Sequence, residues 1–169
     1  VIPLPGLPES LINAFHEFIL ARAIRNIRGD HNKHCTMMIN ASIFIQLTKK
    51  IYDEMCDYYL LVKNAVKNNY LMDDAYAMKS PIILQLNNTF NKVFANNIEE
   101  KWSDVKPELN RVLETMRIYA EYSGSPNGGL DYDSYTKDNI GLTAVVVGGF
   151  KLSRGLTLEG LTVSYLYRK

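Results

Sequence analysis

The sequence predicts an α/β fold: a mainly parallel sheet with helices, and an all-helical insertion in mid-chain. Three observations carry this. Thr36-Met-Met-Ile39 is a short continuous apolar run, the form a strand takes when a parallel sheet buries both its faces. A short turn, Asn40-Ala-Ser42, then leads into the cleanest helical periodicity of the chain. Ile43, Leu47, Ile51, Met55, Tyr58, Val62 and Ala65 step by three or four, so one stripe of the helix packs. Finally, β-branched runs around 143–147 and 162–167 flank a glycine-rich stretch, while nothing from 69 to 116 reads as strand.

The elements follow in order. Pro3, Pro5 and Pro8 make residues 1–8 an extended connector. Ser10 is the expected N-cap of a helix running to about Arg28, with Gly29 as its stop. Leu11, Phe15, Phe18 and Ile19 project to one side, and Leu20, Ile24 and Ile27 to the other. A helix apolar on both sides is sandwiched between layers. The strand at 36–39 and the helix at roughly 43–67 complete the first part of the core.

Asp73 to Lys79 reads as a helical turn or two. Ser80-Pro81 supplies a cap and a first-turn proline for a helix over Ile82 to Phe94. A further helix is expected from about Asp104 to Met116, tolerating Pro107 in its first turn. Arg117 to Tyr122 alternates as a strand does, and Ser-Gly-Ser-Pro-Asn-Gly-Gly129 after it is a loop by composition. The division is thus an α/β core at 9–68 and 117–169, with the helical insertion at 69–116.

Length and charge bound the function. The 169 residues suffice for one domain with a real core, and the formal net charge of +1 leaves no whole-domain electrostatic footprint for nucleic acid. Any such contact must be local. Cys35 and Cys56 show no disulfide-framework spacing and read as reduced thiols of a cytoplasmic protein. No apolar run approaches membrane-spanning length, so no membrane partner is expected. The chain opens on Val1 without a methionine and stops at Arg168-Lys169 directly after a strand, as a fragment of something larger would.

The stretch from Val145 to Tyr165 carries the most chemical information. Strand gives way to Gly148-Gly149, then Phe-Lys-Leu-Ser-Arg154-Gly155-Leu-Thr157-Leu-Glu159-Gly160, then strand again. Glycine backbone can approach a phosphate without Cβ interference, and an arginine offers a forked donor. Lys151, Ser153 and Thr157 add further donors. Other readings compete: Arg154 bonded to Glu159 or a loop carbonyl, and Ser153 and Thr157 closing local turns. Glu159 would repel a phosphate and fits a supporting role, holding Arg154 or a backbone N–H. A P-loop is excluded, because Lys151 lies between Phe150 and Leu152, and the dinucleotide fingerprint spacing is absent.

As it stands, Gly-Gly-x-x-Leu-Ser-Arg-Gly-Leu-Thr-Leu-Glu-Gly-Leu-x-x-x-Tyr from Gly148 to Tyr165 resembles the signature of the endonuclease Z-1 domain family. Phe15 to Gly29 and His34 to Ser42 resemble it too. Such proteins belong to bacteria and some viruses and are associated with restriction, DNA repair or phage defence. The segment is similar, more distantly, to motif V in the second RecA-like half of superfamily-two helicases. That motif's threonine and aspartate are replaced here by Gly149 and Thr157, while Arg154 and Gly155 match. Thr36 to Asn40 would then correspond to the strand bearing helicase motif IV.

The resemblance implies a RecA-like, helicase-like segment of a DNA-acting protein. Gly148, Gly149, Lys151, Ser153, Arg154, Gly155 and Thr157 would face nucleic acid or phosphate, supported by Glu159. The P-loop half is expected elsewhere in the parent chain. ATP and Mg²⁺ are expected only for that intact parent, with no cofactor and no catalytic residue in this segment. A non-catalytic interaction or scaffold module keeping the RecA-like fold is the alternative.

Other constellations point less far. Glu99-Glu100-Lys101 matches a short nuclease pattern but lies in an asparagine-rich, strandless stretch. His31, His34 and Cys35 are spaced as zinc ligands can be, without a second ligand pair, and no metal site is expected. Arg22, Arg25 and Arg28 project to one side of their helix, toward phosphates, acids or solvent. Tyr52, Tyr58, Tyr59, Tyr119 and Tyr122 fit packing better than base stacking.

Overall fold

The computed structural model describes residues 6–41, 44–121, 130–149 and 158–167. Its sheet has four strands: β1 (Cys35–Asn40), β2 (Met116–Glu121), β3 (Thr143–Gly148) and β4 (Leu161–Leu166), in the order β2-β3-β1-β4. Every pairing is parallel. The expected α/β fold with a parallel sheet is what the chain forms, and it is consistent with the RecA-like class.

Register explains which side chains enter the core. Met37 lies opposite Val145 and Val163, Ile39 opposite Val147 and Tyr165, and Ile118 opposite Val145. Because strand side chains alternate, these residues share one face, and all belong to or pack on the main apolar cluster. The central strand β3 is buried at each position, whereas edge strand β4 alternates between exposed and half-buried residues.

Two long helices cover that face, α1 (Glu9–Ile27) and α2 (Ile45–Asn69), and after two shorter helices a third, α5 (Trp102–Thr115), packs on both of them. The two-sided apolar pattern of α1 is accounted for directly. One side meets β1 and β4 and the other meets α5, so Phe15, Phe18, Ile19, Leu20 and Ile24 are all buried. Gly29, at φ +89°, ends the helix, and its N–H bonds to the Asn26 carbonyl at 3.1 Å. Ser10 is not the cap. The helix begins two residues earlier, with extended Pro8 in the cap position, and the Ser10 hydroxyl instead pairs with the Tyr165 hydroxyl at 2.8 Å. A tertiary partner on β4 has taken the group that local pattern assigned to the helix end.

In α2 the buried stripe includes Thr48, Ile51, Met55, Tyr58, Val62 and Val66, with the expected Leu47 and Ala65 half-buried against the same core. Ile43 lies outside the described residues. Between Asn69 and Met116 the described chain is helical with turns, as predicted. It comprises α3 (Asp74–Ala77), α4 (Pro81–Thr89), a π-helical turn (Phe90–Phe94) and α5. Asp73 caps α3, its carboxylate accepting the Tyr76 N–H at 2.8 Å, and Ser80 caps α4 with Pro81 following. α5 starts two residues before the expected Asp104, because the Asp104 carboxylate accepts the Lys101 N–H at 2.9 Å and closes an earlier turn.

One element was not foreseen. α6 (Tyr132–Lys137) is capped by Asp131, whose carboxylate accepts the Ser134 N–H at 3.1 Å. It carries no buried residue, so it shows no apolar stripe for periodicity to detect. Burial, with Tyr135 of this helix close by, raises the Tyr119 phenol on the opposite face of the sheet. The composition-predicted loop through Gly129, with Tyr122, falls outside the described residues.

Candidate nucleic-acid interface at the strand ends

The carboxyl ends of the strands bring together residues far apart in sequence. Gly148 closes β3 with Asn40 of β1 opposite on one side and Glu121 of β2 opposite on the other. The Gly148 carbonyl accepts the Ala41 N–H at 2.7 Å, and the Asn40 carbonyl accepts the Tyr167 N–H at 2.9 Å. Gly149 follows as a buried residue directly beside this rim. α2 begins on the same rim just after β1, with no acid in its first turn and with Phe44 and Ile45 exposed at 67% and 47%.

The strand order gives this rim a special place. From β1 the chain moves over to β2, on one side of the sheet, while from β3 it moves across to β4, on the other. The two connections thus run in opposite directions across the sheet, and open α/β sheets take their ligands outside the carboxyl ends of the strands at such a switch point. Asn40 and Gly148 end the two strands at that switch point. Glu121, 3% exposed, lies on the far side of Gly148. Sequence reasoning singled out the glycines and missed Asn40 and Glu121. The available signal was a single polar residue ending an otherwise apolar run in Met-Met-Ile-Asn40 and again in Tyr-Ala-Glu121.

The rest of the glycine motif divides. Lys151, Ser153, Arg154, Gly155 and Thr157 lie outside the described residues. Glu159 and Gly160 stand at the opposite, amino end of the sheet from Gly148 and Gly149. Thr36, at the start of β1, donates its N–H to the Gly160 carbonyl at 3.0 Å, whereas Asn40 at the end of β1 pairs with Gly148. A strand of this length separates the two ends by about 15–20 Å. The structure therefore does not bring Glu159 to the rim that holds Gly148 and Gly149.

At the amino end, Glu159 is held by its own neighbours. Its backbone N–H donates to the Tyr132 hydroxyl at 3.0 Å, and its carbonyl accepts the Thr36 hydroxyl at 3.1 Å. Its carboxylate lies 3.6 Å from His34 Nε2. His34 Nδ1 accepts the Leu142 N–H at 3.0 Å, so the neutral ring carries its proton on Nε2, facing Glu159 and the Thr136 hydroxyl. The ring packs on Tyr132 with centroids 4.8 Å apart. Gly160, at φ +68°, has no room for a side chain: a Cβ there would overlap the His34 carbonyl. Its place in the motif thus has a packing cause.

The arginine series also separates. Arg22 is 2% exposed and faces neither phosphate nor solvent. Its guanidinium donates to the Thr143 hydroxyl at 2.8 Å and to the carbonyls of Lys33 at 2.9 Å and Gly141 at 3.2 Å, tying the approach to β1 to the start of β3. Arg28 forms a forked pair with Glu100, at 2.5 and 2.9 Å. Hydrogen bonding to Arg28 brings the Glu100 carboxyl down to about 2, so the nuclease-like Glu-Glu-Lys pattern is engaged in tethering α1. Cys35 is buried with its sulfur 3.1 Å from the Thr162 hydroxyl, while His34 is occupied as described. Among the described residues, no three His, Cys, Asp or Glu side chains converge as metal ligands would. Tyr58 and Tyr59 pack in the core, the latter donating to the Leu113 carbonyl at 2.6 Å.

No helix of the described residues is long and apolar enough to cross a membrane. Comparison with curated proteins and with solved structures returns no match. The family model described as the Z1 domain matches residues 10–169, taking in the helical layer, all four strands and the glycine motif. The chain belongs to the Z1 domain family.

Proposed function

We propose that this Z1 segment is a helicase-like, nucleic-acid-acting part of a larger cytoplasmic protein, an endonuclease of restriction, DNA repair or phage defence. It would supply the stretch from Gly148 to Thr157 to a cleft completed by a P-loop half of the same chain. The observation that carries the reading is the position of Gly148 and Gly149. They lie at the carboxyl end of the central strand, at the switch point where the β1 and β3 connections run in opposite directions. Backbone N–H groups free of Cβ, beside the start of a 25-residue helix without first-turn acids, favour an anion at that rim.

Asn40, Glu121 and the glycine backbone offer one carboxylate and no cation. They do not by themselves make a nucleotide–Mg²⁺ site, so ATP and Mg²⁺, and the hydrolysis they support, are assigned to the intact parent. Within this chain, the role is to present donors to a nucleic-acid backbone and to hold them in register with the sheet. Gly149 and Thr157, standing where motif V carries threonine and aspartate, favour a second reading, a scaffold module that keeps the fold without the coupling.

The test is ATP hydrolysis by the intact parent, with and without DNA, beside its Arg154→Ala variant. DNA-stimulated turnover that collapses in the variant supports the motor-like reading. A well-folded parent without turnover overturns it and leaves the scaffold.

A further inference from the structure

A second concave site lies away from the strand ends, between α1 and the α4/π-helical segment. It is a cleft of about 580 Å³, in the range of small-molecule pockets. One wall is a single row along α1, Glu9, Asn13 and Glu17, spaced by four residues so that they stack on one helix face. The facing wall is Gln85, Asn88, Thr89 and Lys92, again at helical spacing. Ile12, Ile82 and Val93 supply apolar surface between them, and Tyr58 reaches the base from α2. The Tyr58 hydroxyl is tied to Nε2 of fully buried His16 at 2.6 Å, which fixes the base of the cleft. The π-helical turn that contributes Lys92 and Val93 is a rare geometry found frequently at functional sites.

The donor–acceptor balance selects the ligand. Carboxylates only accept, amides and hydroxyls do both, and Lys92 is the one obligate donor on these walls. Glu9 and Glu17 make no ion pair among the described residues, and Glu17 is half-buried. The site therefore has an excess of acceptors and a net negative lining. Glu9 and Glu17 are two helical turns apart, about 12 Å along α1 at the helical rise. Apolar surface lies between them for methylene groups.

We propose that this cleft binds a linear aliphatic polyamine, its ammonium groups on Glu9 and Glu17 and its methylenes over Ile12, Ile82 and Val93. Amide and hydroxyl oxygens of Gln85, Asn88 and Thr89 accept the remaining N–H groups. Lys92 at the rim opposes the ligand and sets its affinity. The site is independent of the strand-end rim and does not rest on the function proposed for it.

Calorimetric titration of the full-length protein with spermidine, without nucleic acid, tests this. Saturable one-to-one binding is expected, weakened about tenfold by Glu17→Gln, the order for loss of one charge-assisted hydrogen bond. Lys92→Gln is expected to tighten binding several-fold, a change in the opposite direction that misfolding cannot imitate. Absence of saturable binding to the unaltered protein overturns the proposal. So does spermidine affinity that is the same in both variants, which would mark loose counter-ion association with the surface.

Discussion

Replacing Gly160 by alanine separates two costs that a positive φ usually confounds. Gly160 and Gly29 both lie in the left-handed region, at φ +68° and +89°. An L side chain there costs about 1–2 kcal/mol in either place, and the loss of unfolded-chain entropy on going from glycine to alanine is the same for both. Their surroundings differ. Nothing lies within 4 Å of a Cβ built at Gly29, whereas one at Gly160 overlaps the His34 carbonyl oxygen and sits 2.6 Å from its carbon and 3.2 Å from the Cys35 nitrogen. Those are backbone atoms at the junction where Gly160 accepts the Thr36 N–H, so relief requires β4 to shift against β1. Overpacking of that kind adds about 1–3 kcal/mol. Gly29→Ala is expected to cost about 1 kcal/mol and Gly160→Ala about 3 kcal/mol. For a domain of this size these are melting-point losses of about 3 and 9 °C. Thermal and urea unfolding of the two variants side by side gives the comparison. Equal losses would refute the claim that close backbone approach, rather than conformation alone, requires glycine at position 160.

Two further outcomes follow from buried polar groups. Arg22→Lys is expected to destabilise by about 3 kcal/mol in urea unfolding, because an ammonium cannot span the Thr143 hydroxyl and the Lys33 and Gly141 carbonyls at once. A cost below about 1 kcal/mol would show that this arginine is not a fastening. Burial lowers His16 from its ordinary 6.5 to about 4. The unfolded chain therefore takes up a proton at a pH where the folded one does not. This contribution is complete above pH 6.5 and is lost as pH falls toward 4, amounting to about 3 kcal/mol. Unfolding measured from pH 7 to 4 should lose that much more stability in the unaltered protein than in His16→Gln; parallel profiles would refute it.

The fold was legible where burial and local pattern agree. Val145 and Val147 announce a buried strand because both faces of β3 are covered, and the α2 stripe reads out because one side of that helix packs. Ser80-Pro81 worked as a helix start because cap and first-turn proline act within a few residues. Local reasoning failed where a distant group intervened. Ser10 left its capping role for Tyr165, and Arg22 was drawn inward by carbonyls that only the fold assembles. α6, with no buried residue, had no periodicity to show.

The candidate site was legible in part, for a reason that lies in the sheet's topology. A sequence motif reads as one chemical unit, so the glycines from 148 to 160 look like a single loop with a single purpose. In a parallel sheet, the chain leaves one strand at its carboxyl end and must enter the next at its amino end. The two ends of this motif are therefore held apart by a strand length. Gly148 and Gly149 sit at the carboxyl rim of the sheet, whereas Gly160 sits where two backbones approach closely. The residues that share the rim with Gly148, Asn40 and Glu121, are distant in sequence and become neighbours through register alone. Thus a variant at Gly160 reports on stability whatever the function, while changes at Asn40 and at Arg154 bear on the rim and on the chemistry proposed there.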